Sequence, residues 1–216
     1  LSTLLLEQKE IDVKAEAEKF ITENVKDIDA ALQGARDIIA EMVNEDADVR
    51  AKLRKLFEDT ATLQSKVVED KKEEAAKYKD YFDFSEPIHK IPSHRILAVL
   101  RGFLEGFLRI SIAPVEEEAL YDLEEKYITG SLNSSVEQVK KAIKDAYKRL
   151  LQPSLETEFR TALKAKGDEE AINVFAENLR QLLLSSPLGG KRILAIDPGY
   201  ERLGTAILEK KDSQKE

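Results

Sequence analysis

Apolar residues recur at steps of three and four through most of these 216 residues, a spacing that commits the chain to amphipathic helices. Ile28, Leu32, Ala35, Ile39 and Met42 form one such stripe, with Asp27 placed to cap its helix. Gly34 lies within that stretch, where glycine costs about 1 kcal/mol against alanine, and close contact with a second helix is the expected reason for it. Val49, Leu53, Leu56 and Phe57 line the buried side of the next helix.

The pattern weakens from Thr62 to Asp83. Val67 and Val68 suggest a short strand, and the charged run from Lys71 to Glu74 reads as a solvated helical face. Tyr78, Tyr81, Phe82 and Phe84 cluster without a clear period; such aromatics lock a loop onto a core or, alternatively, stack on bases. Pro92 and Ser93 open a further helix, Ser93 as its cap, with Ile96, Leu97, Leu100, Phe103 and Leu104 buried and Gly106 as its stop. Leu108, Ile110 and Ile112 then alternate with Arg109 and Ser111, the period of a half-buried strand, which calls for a partner strand in the region of Val67.

Helices resume after Pro114. Ser134 and Glu137 have capping-box spacing, followed by Val136, Val139, Ile143, Tyr147 and Leu150. Pro153 and Ser154 start a helix through Leu155, Phe159 and Leu163 that Gly167 should stop. Asp168 should cap a last one, burying Ile172, Phe175, Leu179, Leu182 and Leu183. Residues 187–190 then read as a linker, after which the grammar changes to strand, turn, strand. The expected fold is mainly α, with about seven helices and a small β element at residues 108–112. The expected divisions are 1–84, 85–186, the linker 187–190, and an incomplete domain at 191–216. Leu1 in place of methionine and the polar residues 212–216 are expected to mark cut ends.

Composition narrows the function classes. With no cysteine there is neither a disulfide framework nor a thiolate metal site. No apolar run approaches the roughly 18 residues of a membrane span, and a cytoplasmic protein without membrane contact is expected. A net charge of −8 argues against bulk coating of nucleic acid but leaves room for a local basic site. Such a site is suggested where Lys90, Arg95, Arg101 and Arg109 stand against Glu105 alone, since arginine pairs phosphate with both arms. Neutralisation by Asp80, Asp83 and Glu86 is the competing account and the favoured one. His89 and His94 have no neighbouring zinc-ligand spacing, and Ser93-His94 lacks the strand–turn–helix of a hydrolase elbow. No cofactor fingerprint is present; Gly199 and Gly204 match no phosphate loop.

Five blocks in order carry a resemblance: AALQGARDIIAE at 30–41, KYKDYF at 77–82, IPSHRILA at 91–98 leading into Arg101-Gly102, RLLQPSLE at 149–156, and VFAENLRQLLL at 174–184. Together they resemble the central helical region of the bacterial Tex family of transcription accessory proteins, across essentially residues 1–190. That resemblance implies a nucleic-acid-binding scaffold, RNA more than DNA, without an enzymatic activity of its own. It also implies contact with the transcription machinery and RNA-reading modules elsewhere in the polypeptide. Residues 191–216 would begin a YqgF/RuvC-like, ribonuclease-H-like α/β domain. The chain departs from the family at Phe103-Leu104, where a polar pair is usual, and after Asp197-Pro198-Gly199, where Tyr200 to Ala206 resemble the opening hairpin of RuvC-like resolvases. Asp197 is the sole candidate for a catalytic, metal-binding carboxylate. Metal-assisted phosphodiester cleavage needs several converging carboxylates, so bracing of the turn is the favoured role for Asp197. A metal-dependent nuclease and a helical protein–protein interaction module are the rival functions.

Overall fold

A computed structural model describes residues 1–186, 193–198 and 203–208. The chain divides into a first unit, Leu1–Ala171, and a second, Ile172–Glu216. In the first unit lie α1 (Ser2–Leu6), α2 (Val13–Glu18), α3 (Ile28–Glu45), α4 (Ala47–Thr60), β1 (Thr62–Val67), β2 (Asp83–Pro87), α5 (Ser93–Leu104), β3 (Leu108–Ala113), α6 (Glu116–Tyr127) and α7 (Ser134–Asp145). A π-helical segment, Ala146–Leu151, follows α7 and leads into α8, Gln152–Leu183.

The core forms where the helical stripes face one another. From α3 come Leu32, Ala35, Ile39, Ala40 and Val43, and from α4 Val49, Leu53 and Phe57. They join Val139 and Ile143 of α7 and Leu155 and Phe159 of α8 in one apolar cluster. Phe57 stacks on Phe159 with ring centroids 5.3 Å apart, which ties α4 to α8. Asp27 caps α3 as expected, accepting from the Ala30 N–H at 2.7 Å. Met42 is 50% exposed, and its place in the stripe belongs to Val43. Gly34 faces open space, so helix contact is not what retains it.

Three expected caps are different. Asn133, not Ser134, caps α7 by accepting from the Val136 N–H, while Ser134 and Ser135 donate to the Ile11 and Lys9 carbonyls. Ser93 donates to Glu170 rather than capping α5. Gly167 neither stops a helix nor lets Asp168 cap one: α8 runs through both. Glycine at 167 allows close packing on α5: a β-carbon there would sit 3.1 Å from the Leu97 side chain, which would have to shift by a few tenths of an ångström. Just upstream, Pro153 lacks the N–H that an α-helical turn would use. The adjoining turn widens instead, the Gln152 N–H reaching back to the Tyr147 carbonyl.

A residue absent from the sequence-based expectations closes the first unit. Gln8 is buried at a φ of 53°, in the left-handed region. Its side chain donates to the Tyr127 carbonyl and accepts from the Thr129 and Gly130 N–H groups. The Asn133 amide donates to the Gln8 carbonyl, so one side chain and its backbone fasten the loop between α6 and α7.

The sheet has the order β2-β1-β3, antiparallel throughout, with Val67 opposite Leu108 and Thr62 opposite Ala113. The partner expected for Leu108–Ile112 is therefore where the sequence placed it. Burial lifts the Glu156 carboxyl of α8 above its ordinary value. In the second unit, β4 (Ile193–Pro198) pairs antiparallel with β5 (Leu203–Leu208). The expected linker 187–190 lies outside the described residues. Burial of the last apolar stripe is corrected: Ile172, Phe175, Leu182 and Leu183 are all exposed, the last two at 71% and 73%. Their spacing makes an amphipathic face, but periodicity alone does not supply the surface that would cover it.

Candidate nucleic-acid interface

The four cations singled out from the sequence sit on three different parts of the fold: the turn after β2, α5 and β3. Lys90 lies in the turn after β2, held by N–H bonds from Lys90 and Ile91 to the Pro87 carbonyl. Arg95, in the first turn of α5, forms an ion pair with Glu86 at 3.0 Å. Arg101 is six residues further along α5, which at 100° per residue turns it to another side of the helix. Its carboxylate neighbour Glu105 is pulled below its ordinary pKa first by a hydrogen bond from Lys77, which it meets at 2.6 Å. Arg109 is on β3, the strand that packs against α5 through Leu108.

Strand alternation separates the Arg109 side chain from that contact. Leu108 and Ile112 are buried, Leu108 close enough to α5 that a β-carbon on Gly102 would meet its Cδ1 at 2.6 Å. Side chains alternate across a strand, so Arg109 projects from the opposite face of the sheet. There it stands directly across from Lys66, whose other cross-strand neighbour is Asp83. Intramolecular neutralisation thus accounts for Arg95 through Glu86, whereas Lys90, Arg101 and Arg109 make no ion pair among the described residues.

The outer face around Arg109 is hollow, about 620 Å³, and its lining includes the cations Lys66, Lys72 and Arg109, the acids Glu69 and Asp83, and Gln64, Phe82 and Ser111. Lys72 lies 3.5 Å from Glu69. Gln64 is paired in register with both Ser85 and Ser111, which gives the face hydroxyl and amide groups beside its cations. Sequence reasoning passed over Lys66 because β1 breaks its own alternation. Ser65 occupies an inward position, buried, and donates to the Tyr81 carbonyl at 2.7 Å. The polar positions Gln64 and Lys66 were the available signal.

The aromatic cluster chiefly packs. Tyr78 is buried against Phe107 at 6.0 Å, and Tyr81 meets Phe84 edge-on at 5.4 Å. Phe82 alone of the four reaches the hollow. Phe103 is half-buried beneath the Arg160 guanidinium at 5.3 Å, and Leu104 is exposed. His89 and His94 are both exposed. Among the described residues no three His, Asp or Glu side chains gather to hold a metal ion, and no helix is long and apolar enough to cross a membrane. Asp197 lies in β4 opposite Gly204.

These features define a multi-helix core that carries one small sheet with an open polar face. Residues 8–175 match the region described as Tex central region-like, and the chain belongs to the Tex family. It is 38% identical over 208 residues to the Transcriptional accessory protein Tex of Neisseria gonorrhoeae, covering 93% of this chain and 27% of that protein. Protein tex of Bordetella pertussis is 36% identical over 189 residues, covering 82% of this chain and 24% of the relative. The human S1 RNA-binding domain-containing protein 1 is 32% identical over 183 residues, which is 78% of this chain and 18% of that one. The chain thus spans about a quarter or less of the length of these relatives.

Proposed function

We propose that this chain is the helical core of an RNA-binding transcription accessory protein, holding nucleic-acid-reading modules in position and contacting RNA weakly itself. The observation that carries this reading is the match of residues 8–175 to the Tex central region. The named relatives include a transcriptional accessory protein and a protein with an S1 RNA-binding domain. Within the chain, the cations assigned to backbone contact are Lys90, Arg95, Arg101 and Arg109, with Arg109 the strongest of them because it is unpaired on an open face. RNA is the expected ligand in preference to DNA, in the cytoplasm and alongside the transcription machinery. The β4–β5 hairpin is read as the opening of a ribonuclease-H-like domain in which Asp197 braces the turn. On this reading the chain catalyses nothing.

The test is fluorescence anisotropy of the 216-residue chain with a labelled single-stranded RNA and a matched DNA. Affinity for RNA should be weak and fall linearly in log–log form between about 50 and 200 mM salt. Absence of salt-dependent RNA binding together with capture of RNA polymerase would instead identify a protein–protein interaction module. Metal-dependent cleavage of the RNA, abolished by Asp197→Asn, would support the nuclease.

A further inference from the structure

We infer that the outer face of the β2-β1-β3 sheet is the place where this chain grips nucleic acid, and that it takes a short single-stranded segment by its backbone. The inference rests on the RNA-binding reading above and names the surface that carries it.

Lys66 and Arg109 are directly opposed on neighbouring strands. Like charges so placed, with β-carbons roughly 5 Å apart, repel and weaken a sheet. Asp83 on the far side of Lys66 offsets part of this, but neither cation makes an ion pair among the described residues. A phosphate between them would turn mutual repulsion into two charge-assisted contacts. Lys72, which also lines the hollow, adds a third cation, 3.5 Å from Glu69.

The uncharged groups around these cations fit the rest of a nucleotide. Gln64 and Ser111 supply donors and acceptors for sugar and backbone oxygens, and Phe82 presents part of its ring to the same hollow. Cations beside an aromatic ring, here the half-buried Phe82, are the groups that bind single strands with little regard to sequence. Lys90, Arg95 and Arg101 are not among the residues that line the hollow.

The experiment compares RNA binding by the full chain with three variants, each confirmed as folded by circular dichroism and thermal melting. Lys66→Glu with Arg109→Glu should weaken RNA binding at least tenfold and make the salt slope shallower by about 1.4, the loss of two single-strand phosphate contacts. Phe82→Leu keeps an apolar side chain in place of the ring, and should weaken binding about tenfold without changing the slope. Lys55→Glu with Lys141→Glu makes the same change in net charge at exposed sites outside the hollow, and should stay within about twofold. If the unaltered chain binds RNA and the Lys66/Arg109 variant binds equally well, the sheet face is excluded while the RNA-binding reading stands. If the two charge-reversal variants weaken binding equally, only bulk charge is at work and the sheet face is likewise excluded. If the unaltered chain binds no RNA, both the reading and the sheet face fall together.

Discussion

Gly34 and Gly102 show how one residue type serves opposite ends in two helices. Gly34 faces open space at a helical position, so a methyl group there meets nothing. Gly34→Ala should raise stability by about 0.5–1 kcal/mol, read as a higher urea midpoint with an unchanged slope. Gly102 is buried, and a β-carbon there meets Leu108 Cδ1 at 2.6 Å and Cγ at 2.9 Å. Gly102→Ala should lower stability by about 1–3 kcal/mol despite the better helix propensity. The sequence shows both residues inside apolar stripes and cannot separate them, because the deciding atom, Leu108, belongs to another element. Asp46 makes a related point about charge. It caps α4 while accepting from Lys126 at 2.7 Å and from the Tyr127 hydroxyl at 2.7 Å. The Lys126 ammonium, then the Tyr127 hydroxyl, hold its carboxyl far below the ordinary carboxylate range. Because the folded pKa is depressed, the stability it contributes is present above the unfolded value of 3.8 and lost as pH falls below it. Asp46→Asn keeps the cap but removes the charge, so it should cost about 1 kcal/mol at pH 7. Urea denaturation repeated toward pH 2 should show wild type and variant converge; a constant gap would exclude the carboxylate as the source.

At the scale of the element, helices and the β1–β3 pairing were legible while their ends and partners were less so. Stripes such as Val49, Leu53 and Phe57 repeat over several turns, and every turn votes for the same face. A boundary has one or two residues to mark it, and Asn133 and Ser134 both have capping side chains. Only the Ile11 carbonyl, remote in sequence, decides that Ser134 is otherwise engaged. The sheet-face site was harder to see for a similar reason: Lys66 and Arg109 meet only through strand register, and Ser65 masks the alternation. Helix α8 gives a direct test of face against partner. Leu155 is fully buried, whereas Leu182, on the same helix, is 71% exposed. Leu155→Ala should cost about 2–5 kcal/mol, while Leu182→Lys should stay within about 0.5 kcal/mol in the isolated chain. Thermal melts of the two variants provide the comparison. A large loss from Leu182→Lys would mean that its face is covered in solution.

For the whole molecule, the distribution of buried residues determines what can be removed. Every apolar residue assigned to either core cluster among the described residues lies between Leu1 and Leu163. The first unit, Leu1–Ala171, therefore contains its own core, and it also carries Lys66, Lys72, Phe82 and Arg109. Within the second unit the apolar residues of α8 are exposed, and a two-stranded β4–β5 pairing is by itself marginal in water. A chain ending at Ala171 should consequently melt in one cooperative step. Its midpoint should lie within about 2 °C of the full chain, the shift that roughly 0.5 kcal/mol produces in a domain of this size. RNA affinity and salt slope should survive the truncation as well, since the proposed contacts all lie in the retained unit. Loss of stability alone would show that residues 172–216 brace the core; loss of RNA binding with an unchanged melt would move the contact to those residues and away from the sheet.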